Sequence, residues 1–168
     1  SIDKSKPFVL FGYSVGALIV QEMNSLLSPK KTIIISSFKK ETETPMLFRL
    51  ARKTHWAGRA SLRVFSSTQL ITDVFSRLVY NMPTSELETY MTVVDPVYIK
   101  WAVVQIISWI PDKVHPHLYH IQGTKDQIFP YEKMEDVYLV PEGDHLMVLK
   151  KYEEVSAFIK FILMKREL

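Results

Sequence analysis

Two short apolar runs with a helical pattern between them constrain the fold of this chain most strongly. Residues 7–11 (PFVLF) and 32–35 (TIII) lack the alternation of a half-buried strand, which is typical of strands covered on both faces. Between them, apolar residues recur at helical spacing from Gly16 until Ser28-Pro29 ends the pattern. Strand, helix and strand in this order predict a βαβ unit and therefore a parallel sheet.

The rest of the chain extends this pattern beyond a long helical middle. Residues 39–111 carry helical patterns and no clear strand, whereas residues 118–121 and 137–140 predict two more buried strands. Residues 152–162 predict a final helix with one apolar face. We therefore predict an α/β fold with a mostly parallel sheet of about four strands and flanking helices. The predicted core comprises residues 1–38 and 112–168, and the predicted helical insertion comprises residues 39–111.

A serine between two glycines stands where the first strand turns into the first helix. The segment Gly12-Tyr13-Ser14-Val15-Gly16 has the pattern G-x-S-x-G. Glycines on both sides let neighbouring chain pass close to a serine with a strained backbone. The Ser14 hydroxyl would then project above the carboxyl ends of the strands, and the Val15 N–H could donate to an oxyanion. A glycine-rich turn that only packs is the alternative reading of the isolated motif.

An aspartate and a histidine follow the two later strands. Asp126 comes shortly after residues 118–121, and His145 comes shortly after residues 137–140. The carboxyl ends of parallel strands meet at one edge, where ligands collect in open α/β sheets. A serine hydroxyl needs an adjacent base, which His145 can supply while Asp126 orients its imidazole. Taken one at a time, the same side chains would be a turn cap and a surface histidine.

Three segments resemble the C-terminal part of the α/β-hydrolases, from the nucleophile elbow onward: PFVLFGYSVGA, HIQGTKDQIFP and PEGDHLMV. The order Ser, Asp, His is that of the superfamily, and the chain is similar, more narrowly, to small hydrolase-like proteins of Bacteroidetes-type bacteria. The resemblance implies that Ser14 is the nucleophile, His145 the general base and acid, and Asp126 the orienting carboxylate. Asp144 is the alternative acid, although a neighbour of the histidine is poorly placed to face its ring. Residues 39–111 correspond to a cap insertion.

The resemblance also implies missing parts. The family sheet has strands before the elbow strand and a loop that supplies a second oxyanion donor, whereas only six residues precede Pro7 here. We therefore expect a truncated product or a fragment with an incomplete core. Its elbow strand would be an exposed sheet edge, through which we expect the chain to form a homo-oligomer. Loss of one of two oxyanion donors typically costs roughly 10²–10³ in turnover.

Composition narrows the partners and cofactors. The chain has 21 Lys and Arg against 18 Asp and Glu, which is too balanced for a nucleic-acid binder, and it has no cysteine. No apolar run approaches the roughly 18 residues of a membrane span. His115, His117 and His120 lack carboxylates at metal-ligand spacing, so we predict no metal, and no glycine pattern predicts a phosphate-binding cofactor. The basic stretch from Lys39 to Arg63 is either a solvated face or a contact for an anionic partner or membrane surface.

The predicted reaction is hydrolysis of a small or medium carboxylic ester, or a thioester, through an acyl-enzyme. Phe129, Trp101 and Tyr98 are candidates for the pocket, although aromatic residues at helical spacing are more often core. The alternative is a catalytically weak or inactive hydrolase-like module that binds a small ligand or another chain. We expect a cytoplasmic protein that needs no cofactor, and the fold by itself does not choose the substrate.

Overall fold

The computed structural model describes residues 3, 5–55, 59 and 95–165. The chain divides into two compact units, one comprising Ser1–Glu43 with Ile110–Leu168 and the other Thr44–Trp109. The role of residues 39–111 as a cap stays a prediction.

The first unit is built on four parallel strands in the order β1-β2-β3-β4. The strands are β1 (Val9–Tyr13), β2 (Lys31–Ile35), β3 (Leu118–Gly123) and β4 (Val137–Val140). The helices of this unit are α1 (Val15–Leu27), α4 (Met147–Lys150) and α5 (Tyr152–Met164), and short 3-10 turns lie at Glu41–Glu43 and Tyr131–Lys133. The predicted fold class, a parallel sheet of about four strands with flanking helices, is confirmed.

Strand β1 differs from the prediction in its extent and its burial. It begins two residues later than the apolar run and continues through Gly12 and Tyr13, which pair with Ile34 and Ile35 of β2. Every residue of β2 is buried, whereas Phe11 of β1 is 47% exposed. The expectation that β1 is covered on both faces is therefore wrong for the face that carries Phe11, because β1 is the outermost strand of the described sheet and has a neighbouring strand on one side only. Its longer course delivers Ser14 directly at the carboxyl end of the strand.

The apolar core of this unit lies on both faces of the sheet because successive side chains of a strand point to opposite sides. One cluster joins the sheet to α4 and α5 and consists of Ile33, Ile35, Ile121, Val140, Met147, Val155 and Ile162. The other joins the sheet to α1 and consists of Leu10, Ala17, Val20 and Ile34. The βαβ unit and the final helix thus form as the apolar patterns predict.

The second unit contains two described helices, α2 (Met46–Thr54) and α3 (Pro96–Ser108). Asp95 accepts a hydrogen bond from the Val97 N–H at 2.8 Å and proline follows it at the first helical position, which confirms the predicted cap. The helical signals at 70–78 and 85–88 lie outside the described residues. Within the described ranges, no helix has both the length and the apolar character that crossing a bilayer requires.

Candidate active site

The turn after β1 holds Ser14 in an unusual backbone conformation. Its φ of 52° and ψ of −123° lie outside the regions that non-glycine residues normally occupy. The Ser14 N–H donates to the Ile35 carbonyl at 3.0 Å, and the Ser14 carbonyl accepts from the Ala17 N–H at 3.0 Å. The end of β2 and the first turn of α1 therefore fix this serine from both sides, and α1 begins at the next residue, Val15.

The two glycines of the motif have different roles. A Cβ on Gly12 would lie 2.6 Å from the Ala17 Cα and 2.6 Å from the Gly16 carbonyl oxygen, so only glycine fits there. A Cβ on Gly16 would meet nothing within 4 Å. The expectation that both glycines permit close approach is therefore wrong for Gly16, because the position of a Cβ on that residue faces open space even though its carbonyl lies close to Gly12.

The structure brings the serine, histidine and aspartate into one hydrogen-bonded chain. His145 Nε2 lies 3.0 Å from Ser14 Oγ, and His145 Nδ1 lies 2.9 Å from Asp126 Oδ2. His145 and Asp126 are 2% and 4% exposed, and Ser14 is half-buried. In the tautomer that satisfies both contacts, Nδ1–H donates to the carboxylate and Nε2 accepts the serine proton. This arrangement can turn a hydroxyl into a nucleophile.

The turn after β3 fixes the second carboxylate oxygen of Asp126. Asp126 Oδ1 accepts hydrogen bonds from the Ile128 N–H at 2.9 Å and the Phe129 N–H at 3.1 Å. Phe129 is fully buried, and its ring centroid lies 5.9 Å from that of His145. The predicted pocket residue Phe129 therefore supports the histidine and its carboxylate.

The turn after β4 carries His145, and the side chain of the neighbouring Asp144 forms its contacts away from the imidazole. Tyr13 Oη donates to the His145 carbonyl at 2.7 Å, and the two rings are tilted with centroids 5.4 Å apart. Asp144, the alternative acid, instead accepts from the Leu146 N–H at 2.9 Å and pairs with Lys150 Nζ at 2.6 Å. Tyr13 is thus more than a spacer of the motif, because its hydroxyl reaches across to the histidine turn.

Two buried polar residues of β3 lie beside the site, of which the sequence analysis considered His120 only as a metal ligand and did not single out Gln122. His120 and Gln122 are both fully buried, and His120 Nε2 lies 3.2 Å from Gln122 Oε1. Burial, helped by the nearby Lys39 ammonium, lowers the pKa of His120 to about 3, so the ring is neutral. The signal that could have found Gln122 is its alternation with His120, because both are polar residues two positions apart in a strand otherwise predicted to be buried.

Several other predicted residues lie elsewhere. Trp101 and Tyr98 belong to the second unit and stack on each other with centroids 5.9 Å apart, and their pocket role stays a prediction. His115 lies 3.1 Å from the Ser25 hydroxyl. In the part of the chain that the structure describes, no group of three or more potential ligands is placed to hold a metal ion. The oxyanion role of the Val15 N–H also stays a prediction.

The basic stretch begins with a lysine that is not solvated. Lys39 is 3% exposed, and its ammonium donates to the Glu135 and Asp136 carbonyls at 2.5 and 3.0 Å. Burial lowers the pKa of Lys39 below its ordinary value. Lys40 pairs with the Glu135 carboxylate at 2.5 Å. The reading of this stretch as a solvated face is therefore wrong at Lys39, whose charge fastens the loop after β2 to the segment before β4.

Comparison with solved structures shows that the chain has a known fold. No family model matches the sequence, and no curated protein matches it. A thermophilic esterase from Thermogutta terrifontis superposes with a TM-score of 0.68 at 16% identity over 94% of this chain. An α/β hydrolase enzyme from a Medee basin deep-sea metagenome library superposes with a TM-score of 0.63 at 12% identity over 96% of the chain. The methylketone synthase I of tomato, in complex with 2-tridecanone, has a TM-score of 0.61 at 12% identity over 99% of the chain.

These likenesses establish that the chain has the α/β-hydrolase fold, as its motifs predict. The chain spans 64% of the length of the Thermogutta esterase, 66% of the metagenomic hydrolase and 74% of the tomato enzyme. The narrower likeness to hydrolase-like proteins of Bacteroidetes-type bacteria stays a prediction.

Proposed function

We propose that this protein is a serine hydrolase that cleaves a small or medium carboxylic ester or a thioester. The observation that carries the proposal is the hydrogen-bonded chain from Ser14 Oγ through His145 to Asp126, with contacts of 3.0 and 2.9 Å. Three side chains from three separate turns meet at the carboxyl edge of the sheet, where open α/β sheets bind ligands. Esterase and hydrolase neighbours with this fold support the same class of reaction.

The proposed reaction proceeds through an acyl-enzyme. His145 Nε2 takes the hydroxyl proton while Ser14 Oγ attacks the carbonyl carbon, and the negative charge of the resulting oxyanion is stabilised by the Val15 N–H. The protonated His145 then gives its proton to the leaving alcohol or thiol as the bond to the carbonyl breaks. Water, deprotonated by the same ring, attacks the carbonyl carbon of the acyl-enzyme. The bond from that carbon to Ser14 Oγ then breaks, His145 returns the proton to Ser14 Oγ, and the acid is released. Asp126 stabilises the imidazolium in both halves.

The proposed substrate is largely apolar, and the proposed reaction needs no cofactor. In the tomato neighbour, the bound molecule is 2-tridecanone, which has a long alkyl chain. We assign the choice of acyl and alcohol groups to residues 39–111 as a cap, with Trp101 and Tyr98 as aromatic contacts. A cytoplasmic location stays a prediction.

The direct test compares Ser14→Ala with a matched serine. Ser25 also lies within hydrogen-bond distance of a histidine, at 3.1 Å from His115 Nε2, but in the last turn of α1, at the opposite end of the helix from the elbow. We expect the wild type and Ser25→Ala to hydrolyse p-nitrophenyl acetate and butyrate and to react with a fluorophosphonate probe. Ser14→Ala should do neither. Turnover and labelling that survive in Ser14→Ala would refute the proposal.

A ligand-binding module without turnover is the second candidate. It is favoured by the position of β1 at the edge of the described sheet, which leaves the side of the elbow strand opposite β2 without a strand among the described residues. This candidate predicts that a carboxylate product such as butyrate binds, as measured by calorimetry, while the wild type fails both to hydrolyse esters and to react with the fluorophosphonate.

A further inference from the structure

A fully buried amide connects three segments beside the site. Gln122 is the fifth residue of β3 and is 0% exposed. Its Nε2 donates to the Phe129 carbonyl at 2.8 Å, and its Oε1 accepts from the Ser37 N–H at 3.2 Å. His120 Nε2 lies 3.2 Å from the same oxygen. The amide thus joins the loop after β2 and strand β3 to the turn that carries the acid.

The position of the Phe129 carbonyl affects both Asp126 and His145, because other groups of Phe129 contact these two residues. The N–H of the same residue donates to Asp126 Oδ1 at 3.1 Å, and its ring packs 5.9 Å from that of His145 and 5.5 Å from that of Phe38. A shift of the Phe129 backbone would therefore move both the N–H that donates to Asp126 and the ring that packs against the imidazole of His145. Side chains that are held through hydrogen bonds by a buried neighbour lose little freedom when the reaction begins.

The chemistry of the position requires an amide. Ser37 offers a backbone N–H, Phe129 offers a backbone carbonyl, and both lie in a buried environment where an unpaired polar group is costly. A neutral side chain that both accepts and donates satisfies both groups without burying a charge. The neutral ring of His120 supplies a further N–H to the same oxygen.

We infer that Gln122 is a positioning residue of the active site, which orients Asp126 and the ring of His145 by holding the Phe129 carbonyl. The inference rests on the proposed function, because it assigns Gln122 a part in that reaction. The Gln122 amide forms its hydrogen bonds with Ser37, His120 and Phe129, so its effect is on the alignment of the acid and the base.

The test uses two substitutions of Gln122 and one matched control. Gln122→Met removes the hydrogen bonds of the amide to Ser37, Phe129 and His120 at similar volume. Gln122→Asn keeps an amide that is too short to span from Ser37 to Phe129. Gln21→Met is the control, since Gln21 is also a buried glutamine whose amide donates to backbone carbonyls, those of Ala17 and Phe38 at 3.1 and 3.0 Å.

We expect both Gln122 variants to lower kcat by about 10- to 100-fold with KM within about twofold, because positioning acts on the transition state. The acid limb of the pH–rate profile should move to lower pH, since a misplaced carboxylate stabilises the imidazolium less. Gln21→Met should lower the melting temperature comparably and change neither kcat nor the pH profile. A folded Gln122 variant with wild-type kcat and pH profile would overturn the inference, as would the same changes in Gln21→Met.

A measurement that needs no turnover separates this inference from the proposed function. The His145 Nδ1–H, bonded to Asp126, should give a downfield proton signal that is protected from exchange with solvent in the wild type and in Gln21→Met. In the Gln122 variants this signal should be lost or exchange-broadened. If the wild type lacks hydrolysis and labelling, the proposed function fails while this signal still decides the positioning. Retention of the signal in the Gln122 variants overturns the inference.

Discussion

The two ends of the parallel sheet both bury polar groups but use them differently. At the amino end, Lys31 is 2% exposed, and its ammonium donates to the carbonyls of Ile162 and Lys165 at 2.6 Å and of Leu163 at 3.3 Å. At the carboxyl end, the buried chain of Asp126 and His145 ends on the half-buried Ser14 hydroxyl. The first set of contacts satisfies the orphan carbonyls at the end of α5. The second ends on a group that is free to react.

The backbone conformations of two serines also differ between the amino and carboxyl ends of the sheet. Ser28, which ends α1 near the amino edge, has φ 49° and ψ 59°, the ordinary left-handed conformation of a helix end. Ser14 has a positive φ with ψ of −123°, which is costly for serine and persists because β2 and α1 hold it. A buried polar group with all its partners stabilises the fold, whereas a strained residue at the end of a hydrogen-bonded chain is suited to chemistry.

The largest expected effect lies at the carboxyl end. Asp126→Asn should lower ester turnover by about 10⁴-fold, because the amide favours the wrong imidazole tautomer and no longer stabilises the imidazolium. Asp144→Asn is the matched control, since Asp144 pairs with Lys150 instead of the ring. Turnover of p-nitrophenyl esters is the measurement. Comparable losses in the two variants would contradict the assignment of Asp126 as the acid.

The amino end should respond in stability and not in turnover. Lys31→Met leaves the last carbonyls of α5 without their buried donor, so we expect a loss of about 3 kcal/mol in the free energy of unfolding. The adjacent and exposed Lys30→Met should change it by less than about 0.5 kcal/mol. Urea unfolding measures both. An equal response of the two lysines would show that the buried contacts contribute nothing specific.

The glycines at the elbow offer a second contrast within a few residues. Gly12→Ala places a Cβ against the backbone of α1 at 2.6 Å, and we expect it to cost about 2 to 3 kcal/mol and to displace Ser14. Gly16→Ala meets open space in a helix, where alanine is favoured by about 0.5–1 kcal/mol. Thermal unfolding and fluorophosphonate labelling test the pair. A tolerated Gly12→Ala would disprove the close approach of strand and helix.

Buried His120 should make stability depend on pH. The pKa of His120 is about 3 in the folded protein and ordinarily 6.5. Between these two pH values the unfolded chain binds a proton that the folded protein does not. The free energy of unfolding is therefore highest above pH 6.5 and decreases as the pH falls towards 3. At pH 5, which is 1.5 pH units below 6.5, the free energy of unfolding has decreased by about 2 kcal/mol. His120→Gln should reduce the loss between pH 7.5 and 5 by that amount, whereas exposed His55→Gln should not. Parallel curves for the wild type and His120→Gln would refute the prediction.

The smallest expected effect concerns the side of β1 opposite β2, where no strand of the described residues pairs with it. We propose that this edge lets the chain associate with a second copy, because an edge strand presents backbone groups to other strands. Phe11→Lys, at a position 47% exposed, should shift the mass measured by light scattering towards the monomer. A wild type that is monomeric at all concentrations would dismiss the proposal.

Much of the fold could be predicted because it depends on local apolar patterns. The runs at 32–35 and 137–140 lie within β2 and β4, and the N-cap at Asp95 was readable from one residue and the proline after it. Strand β1 was misplaced by two residues because Gly12 and Tyr13 join it through pairing with β2 rather than through their own propensity. Gln122 was overlooked because its partners are 85 residues earlier and 7 later in the chain.

The sequence by itself determined the order of strands and helices and placed a serine, an aspartate and a histidine just after three of the strands. Periodicity and turn residues carry that information locally. Only the tertiary structure decided that Asp126 rather than Asp144 faces the imidazole, that Gly12 rather than Gly16 needs to be glycine, and that Lys31 and Gln122 are buried among backbone polar groups. Those outcomes depend on strand order and register, which bring together residues as far as 134 positions apart, from Lys31 to Lys165.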